Sequence, residues 1–130
     1  MFARTNGVLA LTPTADHSGK EGFAVNASSG NAALVSAATD IPLGVILEGA
    51  TTSKKDAVAL CDGALAGTVK VKLDGTPGTV ALGTYLVITA TGTFKADPGT
   101  GARVRAARAL ESGAANELIE AVLVKPESLS

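Results

Sequence analysis

Fifteen glycines punctuate this 130-residue chain. Between them lie apolar runs of about four to eight residues, rich in Val, Ile, Leu and Thr, the pattern of short strands joined by tight turns. The clearest run is Thr68 to Leu73, where Val69, Val71 and Leu73 project to one side and Thr68, Lys70 and Lys72 to the other. A period of two is the mark of a half-buried strand. Further strands are expected at Val8 to Leu11, Gly22 to Ala27, Ala32 to Val35, Leu43 to Glu48, Ala57 to Cys61, Tyr85 to Thr89 and Leu118 to Lys125. Asp74-Gly75 and Thr91-Gly92 offer the positive-φ positions that chain reversals need. The expectation is a mainly β, small single-domain β-barrel or β-sandwich-like fold of short strands.

Two stretches depart from simple alternation. In "TDIPLGVILEGA", Pro42 cannot donate to a ladder, so it marks a strand's first residue or an edge. Beyond it Leu43, Val45 and Leu47 face one way and Gly44, Ile46 and Glu48 the other, so both faces are partly apolar. Such a strand requires cover on two sides, either as a barrel wall with something packed outside it or as a sheet meeting a neighbouring subunit. In "GARVRAARALESGAANELIEAVLVK", alanine and arginine favour a helix while Arg103 to Ala106 alternate as a strand does. The preferred reading is a hairpin, Val104 to Glu111 and Glu117 to Lys125 around "SGAAN", with a short helix in its first half as the alternative.

Composition limits what such a fold can do. The length fits one domain, and with no Trp, one Tyr and three Phe its core must be built from small aliphatic side chains. A net charge of −1 supplies no long-range field for nucleic acid or an anionic membrane. Cys61 is the single cysteine, which excludes an intrachain disulfide and favours an intracellularly assembled product. The apolar stretch Val8 to Leu11 is too short for a signal-peptide core, and none approaches the roughly 20 residues that span a bilayer. The chain is expected to be soluble.

Candidate chemistry is sparse. Asp16, His17 and Ser18 have the residue types of a hydrolase triad, but sequence neighbours project in different directions, and a solvated loop is the simpler reading. "HSGKEG" lacks the first glycine and the Ser/Thr of a phosphate loop, and "DPGTGAR" lacks its strand-loop-helix setting. His17, Cys61, Asp56, Asp62 and Asp74 show no metal-ligand spacing, and Cys61 reads as a small core residue. Arg103, Arg105 and Arg108 form the one basic cluster; without interleaved aromatics it reads as a solvated or subunit-facing strand edge. Tyr85, within a strand pattern, suits a core or interface position. No enzyme and no cofactor are expected.

The order of segments "IPLGVILEGA", "AVALC", "GTVKVKLDG", "VALGTYLVITATGTFKA" and "RALESGAANELIEAVLV" resembles the small capsid decoration, or cement, proteins of tailed bacteriophages, over most of the chain from about Gly22 to Val124. The resemblance implies a β-barrel-like protein, usually trimeric, seated on the exterior of a DNA-filled head after synthesis in the host cytoplasm. Its partner would be the major capsid protein, with no nucleic acid and no membrane involved. It also implies an extended N-terminal arm, so that residues 1–20 hold the arm and first strand and residues 21–130 the decoration domain. The arm's capsid contacts would be Met1, Phe2, Ala3, Arg4, Thr5 and Asn6, and the doubly apolar Leu43, Val45, Ile46 and Leu47 would meet a neighbouring subunit. A head-fibre or adhesin-like surface-binding domain is the alternative, disfavoured by the shortage of aromatics.

Overall fold

The structure, a computed structural model, describes residues 8–61, 68–76 and 79–130. It is all β among these residues. Ten strands form: β1 (Val8–Leu11), β2 (Ala24–Ser28), β3 (Asn31–Leu34), β4 (Gly44–Glu48), β5 (Asp56–Leu60), β6 (Val69–Lys72), β7 (Tyr85–Ile88), β8 (Phe94–Ala96), β9 (Arg103–Ala109) and β10 (Leu118–Leu129). Each expected strand is present to within a residue or two at most ends, and β10 runs four residues further than expected. The ambiguous stretch is the β9–β10 hairpin. Strand β8 was not anticipated, because three residues bounded by Thr and Asp carry too little alternation to register.

The strands make two five-stranded sheets, ordered β1-β5-β4-β2-β3 and β6-β10-β9-β7-β8. All the ladders are antiparallel. Each sheet curls until its two edge strands meet at one parallel bridge, Pro13 with Ala32 in the first and Leu73 with Phe94 in the second. Adding five to each strand number of the first sheet reproduces the second, closing bridge included. The chain therefore builds one topology twice. Strand β1, grouped by sequence with the N-terminal segment, is an integral member of the first sheet through its pairing with β5.

Local chemistry explains the turns. Ser29 (φ 50°) and Gly30 (φ 82°) form the two-residue link between β2 and β3, where both central positions need positive φ to match strand twist. Gly92 (φ 86°) serves the β7–β8 reversal as expected, but Gly75 does not adopt positive φ; Asn116 (φ 66°) does so at the turn into β10. There the Asp74 carbonyl accepts from the Asn116 amide, and the Asp74 carboxylate accepts from the Thr76 amide, so side-chain capping replaces the glycine device.

The doubly apolar strand β4 is a barrel wall. Val45 belongs to the large core shared by the two sheets, with Ala24, Ala59, Val71, Leu86, Phe94 and others. Ile46 belongs to a second cluster inside the first curled sheet, with Val25, Ala32 and Val58, flanked by Leu11, Phe23 and Leu34. The chain itself thus covers both faces at these positions. After Ile46 the register with β5 slips, Ile46 facing Val58 and Glu48 facing Ala57. Leu47 is the extra residue of this bulge and is left 38% exposed, so the alternation that grouped it with Leu43 and Val45 ends there.

Among the described residues Phe94 is the largest fully buried side chain, and it lies in the shared core. Phe94→Ala is expected to cost about 3–5 kcal/mol in urea unfolding, as for large-to-small changes in packed cores. Leu82→Ala, at a site 65% exposed, should change stability by under about 0.5 kcal/mol.

Candidate interaction surface

The outer face of the second sheet carries the most organised polar cluster. Its origin is a bulge: β9 pairs with β7 as Tyr85 with Arg108, Leu86 with Ala107 and Val87 with Arg105, leaving Ala106 as the extra residue. The phase of β9 shifts there, so Val104, Ala107 and Ala109 all enter the core while Arg105 and Arg108, three apart, share the outer face. Both guanidiniums lie over the ring of Tyr85, with Cζ 4.7 Å and 5.2 Å from its centroid. Such stacking is favourable because the ring face is electron-rich. Tyr85 itself is 39% exposed, neither a core residue nor fully solvated.

Asp97 organises the arginines. Its Oδ1 accepts from Arg103 Nε and its Oδ2 from Arg105 Nε, each at 2.5 Å, and the Gly99 amide adds a further bond at 2.9 Å. Arg103 also donates to the Gly101 carbonyl, and Arg108 Nε donates to the Gly83 carbonyl. The expectation of a solvated or subunit-facing strand edge is corrected in its edge placement and in the solvation of Arg103, while Arg108 is exposed. Strand β9 is the middle strand of its sheet, and Arg103 is buried, because one carboxylate neutralises two guanidiniums at the sheet's end. Beside Tyr85 and Arg105, the β10 residues Val124, Lys125, Pro126 and Glu127 complete a concavity of about 510 Å³.

Burial pushes the Asp97 carboxyl upward. The Gly99 amide and the Arg105 and Arg103 guanidiniums outweigh it and hold the carboxyl below the ordinary aspartate range, while the bond to Asp97 raises the Arg105 guanidinium. A depressed folded-state value means stability that is present above the unfolded aspartate pKa and lost as pH falls through the folded one. Acid titration of unfolding should show this loss below about pH 4, and Asp97→Asn should remove that part of the acid dependence.

A second polar feature lies in the first sheet. His17 is 2% exposed, and its Nδ1 lies 2.6 Å from Oδ2 of the fully buried Asp56. The direction of this bond follows the imidazole tautomer. Asp56 Oδ1 accepts from the Ala50 amide, the His17 amide donates to the Ala50 carbonyl, and Glu21 accepts from the Gly49 amide. The loop before β2 is thereby fastened to the β4–β5 turn. A Cβ on Gly49 would sit 1.9 Å from the His17 carbonyl oxygen, so that approach requires glycine. The expectation of a solvated loop at His17 is overturned, since a partner 39 residues away buries the ring. Asp16 does lie at the surface, where its carboxylate accepts from the Ser18 amide.

Removing one partner of a buried hydrogen-bonded pair leaves the other unsatisfied, at about 1–3 kcal/mol or more. His17→Ala and Asp56→Ala should each lower unfolding free energy by at least roughly that amount. The double variant should be less destabilised than the two losses added together, by about 1 kcal/mol or more, in a double-mutant cycle.

The other sequence-selected positions divide clearly. Met1, Phe2, Ala3, Arg4, Thr5 and Asn6 lie outside the described residues. Val45 and Ile46 are buried within the chain and Leu43 is half-buried, which leaves Leu47 as the exposed member of its group. Cys61 is buried in the shared core. Further large apolar side chains reach solvent at Ile41, Leu82, Leu110 and Leu118. Among the described residues no group of three or more His, Cys, Asp or Glu stands together as a metal site. No protein-family model matches the chain, and no curated protein matches it.

Proposed function

We propose that this protein is a capsid decoration protein, binding the exterior of a mature bacteriophage head and bridging neighbouring major capsid subunits. The observation that carries the reading is how the segments of the sequence resemblance fall on the fold. "IPLGVILEGA" contains β4, "AVALC" spans most of β5, "GTVKVKLDG" contains β6, "VALGTYLVITATGTFKA" is the β7–β8 hairpin and "RALESGAANELIEAVLV" holds much of the β9–β10 hairpin. The resemblance therefore covers successive strands of one two-sheet body rather than isolated turns.

A binder of this kind acts by mass action. Attachment to the expanded lattice alone stabilises that lattice by its binding free energy, and no catalysis is needed. In a trimer, release requires several contacts to fail together, which slows dissociation without any single strong contact. The doubly apolar pattern of β4 no longer calls for a neighbouring subunit, because the chain covers Val45 and Ile46 itself. The subunit contact falls to exposed Leu47 and half-buried Leu43, and the capsid contact to Met1 through Asn6.

Sedimentation with phage heads tests the reading. The protein should pellet with expanded heads and remain in the supernatant with unexpanded ones; failure to pellet with either overturns it. Light scattering of the free protein should give a trimer, and Leu47→Glu should shift it towards monomer with little change in melting temperature. Deleting Met1 to Thr5 should weaken head binding at least tenfold, about 1.4 kcal/mol.

A further inference from the structure

The two sheets share one strand order, so each row of residues in one has a counterpart in the other. In the first sheet Ala24, Val45 and Ala59 lie side by side across β2, β4 and β5; in the second, Tyr85, Arg108 and Val122 lie side by side across β7, β9 and β10. Leu9 and Leu11 of β1, opposite Val58 and Asp56, correspond to Val69 and Val71 of β6, opposite Ala121 and Ile119. Backbone bonds agree with this matching. The amides of Gly22 and Gly83, both residues at positive φ, donate to the carbonyls of Ile46 and Ala109, and the amides of Val35 and Asp97 donate to those of Ala24 and Tyr85.

Inside the chain, the second sheet covers the row of the first. Ala24, Val45 and Ala59 are fully buried in the core they share with Val69 and Val71, and β4 lies against β6. The Ala24 amide donates to the Gly92 carbonyl across this seam. The join uses two different surfaces, the outer row of one sheet and the first strand and glycine turn of the other. Each sheet therefore keeps one unused half of the same contact. On the second sheet Tyr85 and Arg108 are exposed and Val122 is half-buried. The Tyr85 amide, counterpart of the Ala24 amide, has no carbonyl partner among the described residues. On the first sheet Leu9 and Leu11 are half-buried, whereas Val69 and Val71 are buried. A Cβ on Gly30 would meet nothing within 4 Å, whereas one on Gly92, its counterpart in the second sheet, would lie 3.2 Å from the Ala24 oxygen.

The chemistry of these two open ends argues for a partner. An end that only closed a stack of repeated units would carry a polar outer face. Here one end carries Leu9 and Leu11, and the other carries Tyr85 beside the Gly83 turn, which exposed Leu82 and Leu110 flank. Tyrosine and arginine are also enriched where proteins meet. The Gly83 carbonyl, counterpart of the Gly22 carbonyl that accepts from the Lys72 amide, accepts from Arg108 Nε and has a second lone pair to offer.

We propose that the two open ends bind each other between copies of this chain. The row of Tyr85, Arg108 and Val122 in one copy packs on Leu9 and Leu11 of the next, and the Tyr85 amide donates to the neighbour's Gly30 carbonyl, repeating between chains the contact that joins the sheets within one. Such a contact is heterologous, and its rotation decides whether copies close into a ring or continue as a filament. It requires neither the capsid reading nor Leu43 and Leu47.

Complementation between variants tests this. Arg108→Glu combined with Val122→Glu disables one end and Leu9→Glu the other, with light scattering and melting temperature recorded for each; Leu9→Ala serves if Leu9→Glu lowers the melting temperature. Each variant should associate less than the wild-type protein. An equimolar mixture of the two should recover association, because one intact pair of ends exists between them. Tyr85 is the single tyrosine of a chain without tryptophan, so tyrosine emission should change on mixing. Adding Leu47→Glu to both variants should leave that recovery intact, which separates this contact from the one assigned to Leu47. A wild-type protein that stays monomeric at millimolar concentration, variants that associate as the wild type does, no recovery on mixing, or a recovery abolished by Leu47→Glu overturns the proposal. Sedimentation with expanded heads decides the capsid reading separately.

Discussion

The close approach of the two curled sheets is the constraint on which the remaining structure depends. Residues Gly22 to Ala24 form the seam: the Gly22 amide donates to the Ile46 carbonyl, the Lys72 amide donates to the Gly22 carbonyl, and the Ala24 amide donates to the Gly92 carbonyl. Backbone from the first sheet is thus bonded to backbone of the second. A Cβ on Gly22 would lie 2.7 Å from the Lys72 nitrogen, so only glycine permits this approach between the sheets; within the first sheet, a Cβ on Gly44 would lie 2.1 Å from the Ala59 oxygen of neighbouring β5. The shared core follows suit, relying on Ala24, Ala59, Ala106, Ala107, Ala109 and Ala121 where larger side chains would hold the sheets apart. The poverty in aromatics is therefore a packing requirement as well as a statement about function.

Repetition of one strand order in both halves shows how a short chain can make two curled sheets without long crossovers. Within each half, closure comes from a residue just past the first strand, Pro13 or Leu73, reaching the third. This leaves few unpaired edges, and edges are where β proteins aggregate. The halves are not independent, however. The core between them holds residues of both, and the smaller inner cluster of the first sheet is walled by strands whose other faces belong to that shared core. Unfolding of one half would expose the other, so cooperative unfolding is the natural consequence.

Much of this was legible from the residues. Glycine spacing and period-two runs located the strands, and the two-sided apolar character of Leu43 to Glu48 correctly posed the choice between barrel wall and subunit contact. The bulges were not legible, because a single extra residue leaves composition untouched while reversing every side chain beyond it. That is why Leu47 emerges at the surface and why Arg105 and Arg108 share a face. The spacing of three between those arginines, within an otherwise alternating strand, was the signal available for the second case. The pairing of His17 with Asp56 had no local signature, since it depends on a contact 39 residues apart in the chain. Asp97 was likewise invisible beside a glycine-rich turn, although its carboxylate arranges the basic cluster.

Polar anchoring outside the shared core also bears on recognition. A flexible arginine loses rotamer freedom when it binds, at a cost of up to about 2 kcal/mol on side-chain entropy scales. Arg105 has already lost it, held between Asp97 and the Tyr85 ring. Arg108 is oriented in turn by the Gly83 carbonyl and the same ring. A surface ordered in this way presents its charge and its aromatic face in fixed relative positions. The fastening of the loop before β2 by His17 and Asp56 does the corresponding work for the first sheet, fixing backbone there in place of exposed side chains. Rigidity supplied by polar groups at the periphery thus complements a core whose small residues provide close contact but few interlocking shapes.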